Sequence, residues 1–464
     1  MLDLLLKGGR IATADDVFDG VIGVKDQKIA CIGAPDFLPP AKETIDLTGK
    51  VIMPGVIDPH IHFQDPGFTE REDFAHGTMA AANGGVTTVL SHPLDLPPTT
   101  TFEALAEKEA AYEGNAYVDY GIHIGATADN TDILEPLWKD TGATAIKMFM
   151  CFSVKEFPFV TDDVLYRTLT KVAQMHAVAI IHAESEGILK VSEERVRASG
   201  RKDGIAYNET HPKEAEIEAI ERAIYYLELT GAEGVILHVS TAEGLELIHS
   251  AKERGVKVWA ESAPHLFQFT VDDMKEKGPY LKFSPVMHDE ENRRRMWELL
   301  GKGYVDYIGS DHSPYTLEEK QRGEEDIFLA PNGIPGVETS LAVFLNGVNA
   351  GRISLPQLVR MTSRNTARIY GLAPEKGDMT VGTDADFTIV DMNMEKVFRA
   401  EDLRSKCKWS PYIGLKLKGW PVMTIVRGNV ICKDGVIVGK QGFGKYLRRK
   451  NKKPKHLNRK GGRI

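Results

Sequence analysis

Val51-Ile52-Met53-Pro54-Gly55-Val56-Ile57-Asp58-Pro59-His60-Ile61-His62 is an apolar run that turns polar at its end. Residues two apart on a strand point to the same face, so the His60 and His62 imidazoles converge on one point. Imidazole suits zinc and its neighbours. The pair alone decides nothing, because His-x-His also occurs on ordinary half-buried strands. The fold is decided by recurrence of the run. Val86 to Ser91, Asp119 to Gly125, Ala145 to Met150, Ala177 to His182, Val235 to Val239, Val256 to Glu261 and Tyr307 to Ser310 read as further buried strands. Helical stretches fall between most of them, at Phe102 to Tyr112, Thr161 to His176, Glu214 to Thr230, Gly244 to Arg254 and Asn292 to Leu300. Such alternation predicts an α/β fold with a parallel sheet. Counting Val56 to His62, the strands suffice for a closed (β/α)8 TIM barrel, whose catalytic groups gather at the C-terminal strand ends. A doubly wound open sheet competes, but no Gly-x-Gly-x-x-Gly follows the first strand.

Outside this region the texture changes. Leu2 to Leu6, Val21 to Val24 and Lys28 to Ile32 are short strand candidates punctuated by Gly and Asp, and similar segments return at Ala385 to Asp391, Val422 to Arg427 and Asn429 to Cys432. Asp434-Gly435 beside the last of these is a hairpin signal. The two ends therefore predict one small β-sandwich domain, built from residues 1–50 and 375–464, around a barrel of residues 51–374.

At 464 residues with a net charge of -9, the chain suits a soluble enzyme and gives no general reason to expect a nucleic-acid partner. No apolar run is long enough to span a bilayer, and the first residues lack a basic n-region and a cleavage site. Cys31, Cys151, Cys407 and Cys432 are sparse and widely spaced, as expected of reduced thiols in the cytoplasm. Lys445 to Ile464 is basic and contains no acid, with Arg448-Arg449-Lys450, Lys452-Lys453 and Lys455. It reads as a solvated tail or a strap rather than an anionic-surface contact.

The polar residues acquire meaning from position. Strand one ends in His60 and His62, strand five in His182, strand six in His238, and strand eight in Ser310-Asp311-His312. Lys147 lies inside Ala145-Ile146-Lys147-Met148-Phe149-Met150. A lysine in an apolar strand loses hydration, which lowers its pKa and makes the neutral amine accessible. That amine can add carbon dioxide to form an anionic carbamate able to bridge two metal ions. A lysine that snorkels outward or pairs with an acid is the plainer alternative, and the matched strand-end histidines weigh against it.

Asp58-Pro59-His60-Ile61-His62, the Lys147 strand and Gly309-Ser310-Asp311-His312-Ser313-Pro314 resemble the cyclic amidohydrolases, the group of hydantoinases, dihydropyrimidinases, allantoinases and dihydroorotases. The resemblance covers nearly the whole chain. It implies that His60, His62 and Asp311 hold a buried divalent ion and that His182 and His238 hold a second. It also implies that Lys147, as N6-carboxylysine, bridges them. Zinc is the expected ion, with manganese or cobalt also compatible with the donor set. Asp311 is the expected catalytic proton carrier, serving a water that attacks a ring amide. A homodimer or homotetramer is implied as well.

Choice among rings turns on finer positions. Dihydroorotases usually place an arginine two positions after the His pair, where this chain has Gln64. Phe63 to Glu70 and Ser410-Pro411-Tyr412-Ile413-Gly414 look like allantoinases. Pro331 to Thr339 and Ser284-Pro285 are similar to hydantoinase substrate loops, in which the backbone of Ser284 and Asn332 holds the cyclic imide edge. Gly419-Trp420-Pro421-Val422 and Gln441 to Lys445 point the same way, towards L-selective hydantoinases. Many D-hydantoinases and dihydropyrimidinases have a tyrosine five positions after the bridging lysine; here it is Phe152, which has no hydroxyl to donate. Cys151 beside it reads as a packing thiol. The expectation is a hydantoinase acting on a small cyclic ureide or imide, with allantoinase second, then dihydropyrimidinase or a silent scaffold.

Overall fold

The computed structural model describes residues 1–450. Eight parallel strands form its centre: β1 (Val56–Ile61), β2 (Val86–Ser91), β3 (Asp119–Ile122, continued by Ile124–Gly125), β4 (Ile146–Phe149), β5 (Val178–His182), β6 (Glu233–Ile236), β7 (Val258–Ser262) and β8 (Tyr307–Ile308). Each pairs in parallel with the next. Beyond β8 the ladder continues as a parallel bridge from His312 to Ile61, where the His62 amide donates to the His312 carbonyl at 2.8 Å. That contact closes the barrel. The strands are buried on both faces, as continuous apolar runs require.

The helices lie outside and start where the sequence supplies caps. Thr101 accepts from the Ala104 amide ahead of Phe102–Tyr112, and Thr241 accepts from the Gly244 amide ahead of Ala242–Glu253. Two strands end more than one residue earlier than their apolar runs predict. The run to Val239 gives a strand only to Ile236, and the run to Ser310 one only to Ile308. Past these ends the backbone turns: His238 and Asp311 take positive φ, 36° and 47°, outside the extended region of a strand.

The remaining strands build two packed sheets. One has four strands, in the order Lys28–Gly33, Val21–Lys25, Leu2–Lys7 and Ala41–Asp46. The other has seven and mixes the two ends of the chain: Phe387–Val397 runs antiparallel to Val51–Pro54, which is parallel to Arg10–Ala12. Leu6, Ile22, Ile52, Phe387, Ile389 and Ile425 fill the space between the sheets. Asn429–Lys433 and Val436–Ile437 form the hairpin, with Asp434 and Gly435 both at positive φ. Only Gly55 separates Val51–Pro54 from β1. A Cβ there would lie 2.2 Å from Thr87 Oγ1 and 2.7 Å from Asp386 Cβ, so the junction requires glycine.

The last described residues strap the chain's own barrel. The Tyr120 amide donates to the Lys445 carbonyl at 3.0 Å, and the Arg449 amide donates to the Gly142 carbonyl at 2.9 Å. Lys452, Lys453 and Lys455 lie outside the described residues. Among the described residues no helix is long and apolar enough to cross a membrane.

Candidate active site

His60, His62, Lys147, His182, His238 and Asp311 line one cavity at the C-terminal end of the barrel, although they come from β1, β4, β5 and the turns after β6 and β8. His60 Nε2 and His62 Nε2 each lie 3.2 Å from Asp311 Oδ1. His182 Nδ1 lies 3.0 Å from His238 Nε2. Donors about 2.0–2.1 Å from a tetrahedral ion stand about 3.3 Å apart, so both groups have the spacing of ligands around a common point. The donor set, neutral imidazoles with one carboxylate, suits a borderline divalent ion.

Electrostatics keep these groups in ligating form. Burial pushes His62 down to about 4 and holds His182 and His238 below the usual imidazole range. Burial alone would raise Asp311, but His60, His62 and His238 hold its carboxyl well below the usual carboxylate range. Lys147 is 1% exposed, and its Nζ lies 4.3 Å from the Phe149 ring centre. Burial lowers it to about 7 against the opposing pull of Asp311 and Glu261. A neutral amine at physiological pH is the chemical precondition for a carbamate.

Two buried glutamates decide which ring nitrogens carry protons, and neither stands out in the sequence. Glu261 Oε1, at the end of β7, meets His60 Nδ1 at 2.5 Å. This places the proton on Nδ1 and leaves the Nε2 lone pair facing Asp311. Glu184 Oε2 meets His182 Nε2 at 2.8 Å, leaving Nδ1 facing His238. Glu184 also accepts from His211 Nδ1 and the Ser284 hydroxyl, both at 2.8 Å. His92 is a further unanticipated neighbour. It stacks on His60 at 3.8 Å between ring centres, and neither of its buried ring nitrogens has a hydrogen-bond partner. The signal that would have found it is its place immediately after β2.

The positions expected to touch substrate divide. Ser284 and Asn332 line the cavity together with Leu94, Ser153, Val154, Phe283 and Gly333. Gln64 does not line it; its Oε1 accepts from Arg71 Nη1 at 3.3 Å, and Arg71 is held between the Phe68 and Tyr315 rings and paired with Glu319. Phe152 also stands outside the lining. It is 58% exposed, while its amide donates to Glu186 Oε2 at 2.8 Å. Cys151 is buried against Leu189 and Ala215, and burial raises its thiol well above the ordinary value, as a packing residue requires.

The pattern of the amidohydrolase family matches residues 51–431. The chain belongs to this family. It is 38% identical over 454 residues to an L-hydantoinase of Paenarthrobacter aurescens, covering 97% of this chain and 99% of the relative. It is 36% identical over 449 residues to an allantoinase of Desulfitobacterium hafniense, covering 96% and 98%. Among solved structures, an L-hydantoinase from Arthrobacter aurescens superposes with a TM-score of 0.94 at 37% identity, covering 97% of this chain and 100% of the other. A D-hydantoinase structure gives 0.91 at 33% identity, covering 97% and 99%. An amidohydrolase fold of this kind is a TIM barrel with an accompanying β-sandwich, in agreement with the strand pairing above.

Proposed function

We propose that this protein hydrolyses the cyclic amide bond of hydantoin-type rings, releasing N-carbamoyl amino acids. The observation that carries the proposal is near-full-length similarity to hydantoinases, 38% identical over 97% of the chain, joined to a cavity in which five strand-end donors and a buried lysine converge. His60, His62 and Asp311 would hold one divalent ion and His182 and His238 a second, with carboxylated Lys147 between them; zinc suits this set, as do manganese and cobalt. Bound there, such ions lower the pKa of water and polarise an amide carbonyl.

The chain's own groups do the rest. Asp311, ionised and facing both His60 and His62, takes the proton of the attacking water and returns one to the ring nitrogen as its C–N bond breaks. Glu261 and Glu184 hold His60 and His182 in the tautomers that present lone pairs inward. The backbone of Ser284 and Asn332 fixes the imide edge, so the scissile carbonyl faces the donors. We further assign residues 51–374 as the catalytic unit and residues 1–50 with 375–464, of which 451–464 lie outside the described residues, as its β-sandwich, in a cytoplasmic homodimer or homotetramer.

Allantoin is the second reading, favoured by the allantoinase relative at 36% identity. Metal-loaded protein assayed against 5-substituted hydantoins, allantoin, dihydrouracil and dihydroorotate separates them. Hydantoins are expected to turn over with the highest kcat/KM. Dominant allantoin turnover would reverse the order, and inactivity on the whole panel would overturn the proposal.

A further inference from the structure

Lys320 is fully buried on the short helix Leu317–Gln321, yet its ammonium group meets no carboxylate among the described residues. Its Nζ donates instead to three main-chain carbonyls: Pro331 at 2.9 Å, Gly333 at 3.0 Å and Lys282 at 3.3 Å. A lysine ammonium has three N–H donors, so this cage uses all of them. Two of the carbonyls flank Asn332, and the third lies two residues before Ser284. The two segments expected to grip the imide edge therefore meet on one nitrogen atom. The Gly333 amide reinforces the junction by donating to the Lys282 carbonyl at 3.1 Å.

A second clip crosses the same gap. The Tyr207 hydroxyl, from the helix Gly204–Glu209, lies 2.9 Å from Asn332 Oδ1 and 3.2 Å from the Phe283 carbonyl. Tyr207 thus ties the side-chain oxygen of Asn332, a residue of the cavity lining, to the Phe283 segment. Neither Lys320 nor Tyr207 is among the residues that line the cavity. They act from behind the lining.

We propose that Lys320, assisted by Tyr207, is a positioning residue that sets the separation of the Ser284 and Asn332 segments and thereby the fit of the cyclic imide. The inference rests on the ring-opening function proposed above. Replacing the ammonium with an apolar chain leaves the Pro331 and Gly333 carbonyls without donors and the Lys282 carbonyl with the Gly333 amide alone, and the freed carbonyls turn towards other partners. The segments then separate, while the histidine and aspartate donors, supported by Glu261 and Glu184, stay in place.

The test is steady-state kinetics of metal-loaded Lys320→Met and Tyr207→Phe on a 5-monosubstituted hydantoin, with metal content measured on the same samples. KM is the deciding quantity because it does not depend on the fraction of active protein. Lys320→Met is expected to raise KM about tenfold or more, since displacements near 1 Å are costly to positioning. Tyr207→Phe, which removes one hydroxyl, is expected to raise it about threefold. Metal content should match the wild type in both. KM within twofold of wild type in the soluble variants overturns the inference, as does loss of kcat and metal together at unchanged KM. If Lys320→Met does not fold, Tyr207→Phe decides alone by the same criterion. Wild-type protein that opens no ring would overturn the proposed function, whereas an active wild type with unmoved variants overturns the clip alone.

Discussion

Asp311 is the residue on which the two strand-one histidines converge, 3.2 Å from each. Its carboxyl stays ionised in a buried site, the form that its proposed role as proton carrier requires. Asp311→Asn keeps the shape and removes the basicity; kcat should fall by about 10²–10⁴, as for loss of a general base, measured on protein of known metal content. The histidines were visible in the sequence because their places at strand ends recur. Glu261 was not, since a single acid at the end of an apolar run has no spacing signature and its partner His60 is 201 residues away. Glu261→Gln removes the charge that fixes the His60 tautomer. Metal affinity should weaken about 10–100-fold, the usual cost of losing such support, when titrated with a competing chelator. Gln64 and Phe152 had clear places in the chain, yet neither is among the residues that line the cavity.

At the scale of elements, apolar runs located every barrel strand, and Phe102–Tyr112 matched to the residue because Thr101 caps it and Glu113 leaves helical geometry. The ends of β6 and β8 were not legible. A run of apolar residues carries no mark of the positive φ that His238 and Asp311 take just past these strands. The turn after β8 also demands a small residue, for a Cβ on Gly309 would lie 2.7 Å from His60 Cβ and 3.0 Å from the Glu261 carboxyl carbon. Gly309→Ala should overpack this contact at a cost of about 1–3 kcal/mol and lower metal content by displacing His60, as elemental analysis would read. Glu216, which accepts from the Ser240 amide and the Thr241 hydroxyl beyond β6, is pushed up to about 7 by burial from an ordinary 4.5. The folded state therefore keeps a proton that the unfolded chain loses. Stability is whole below about 4.5, declines as pH rises, and is fully reduced above about 7. Glu216→Gln should raise the denaturation midpoint at pH 8, with the gain shrinking as the assay pH is lowered towards 5; an equal gain at both would contradict the assignment.

For the molecule as a whole, the shared strand-and-turn texture of the two chain ends made a common sheet legible, and Arg10–Ala12 and Phe387–Val397 do share one, joined through Val51–Pro54 from the range expected for the barrel. Less legible was how the barrel is joined to these sheets. Buried Lys376 meets Asp386 at 2.5 Å, Asp119 at 2.6 Å and Asp384 at 2.9 Å, and Arg427 also pairs with Asp119. Burial alone would lower Lys376, but the three carboxylates hold its pKa above the ordinary lysine value. These five residues are scattered from 119 to 427, and only the fold brings them together. Lys376→Met leaves buried carboxylates unpaired and should cost about 3–5 kcal/mol of stability, read by chemical denaturation. The central claim concerns the metal-dependent opening of a cyclic amide. Its most direct test is the rate of hydantoin ring opening as divalent metal and bicarbonate are returned to stripped protein. The rate should rise from near zero and level off at about two ions per chain, as a paired-ion site requires. Full activity in stripped protein, or no ring opening at any loading, would contradict the account.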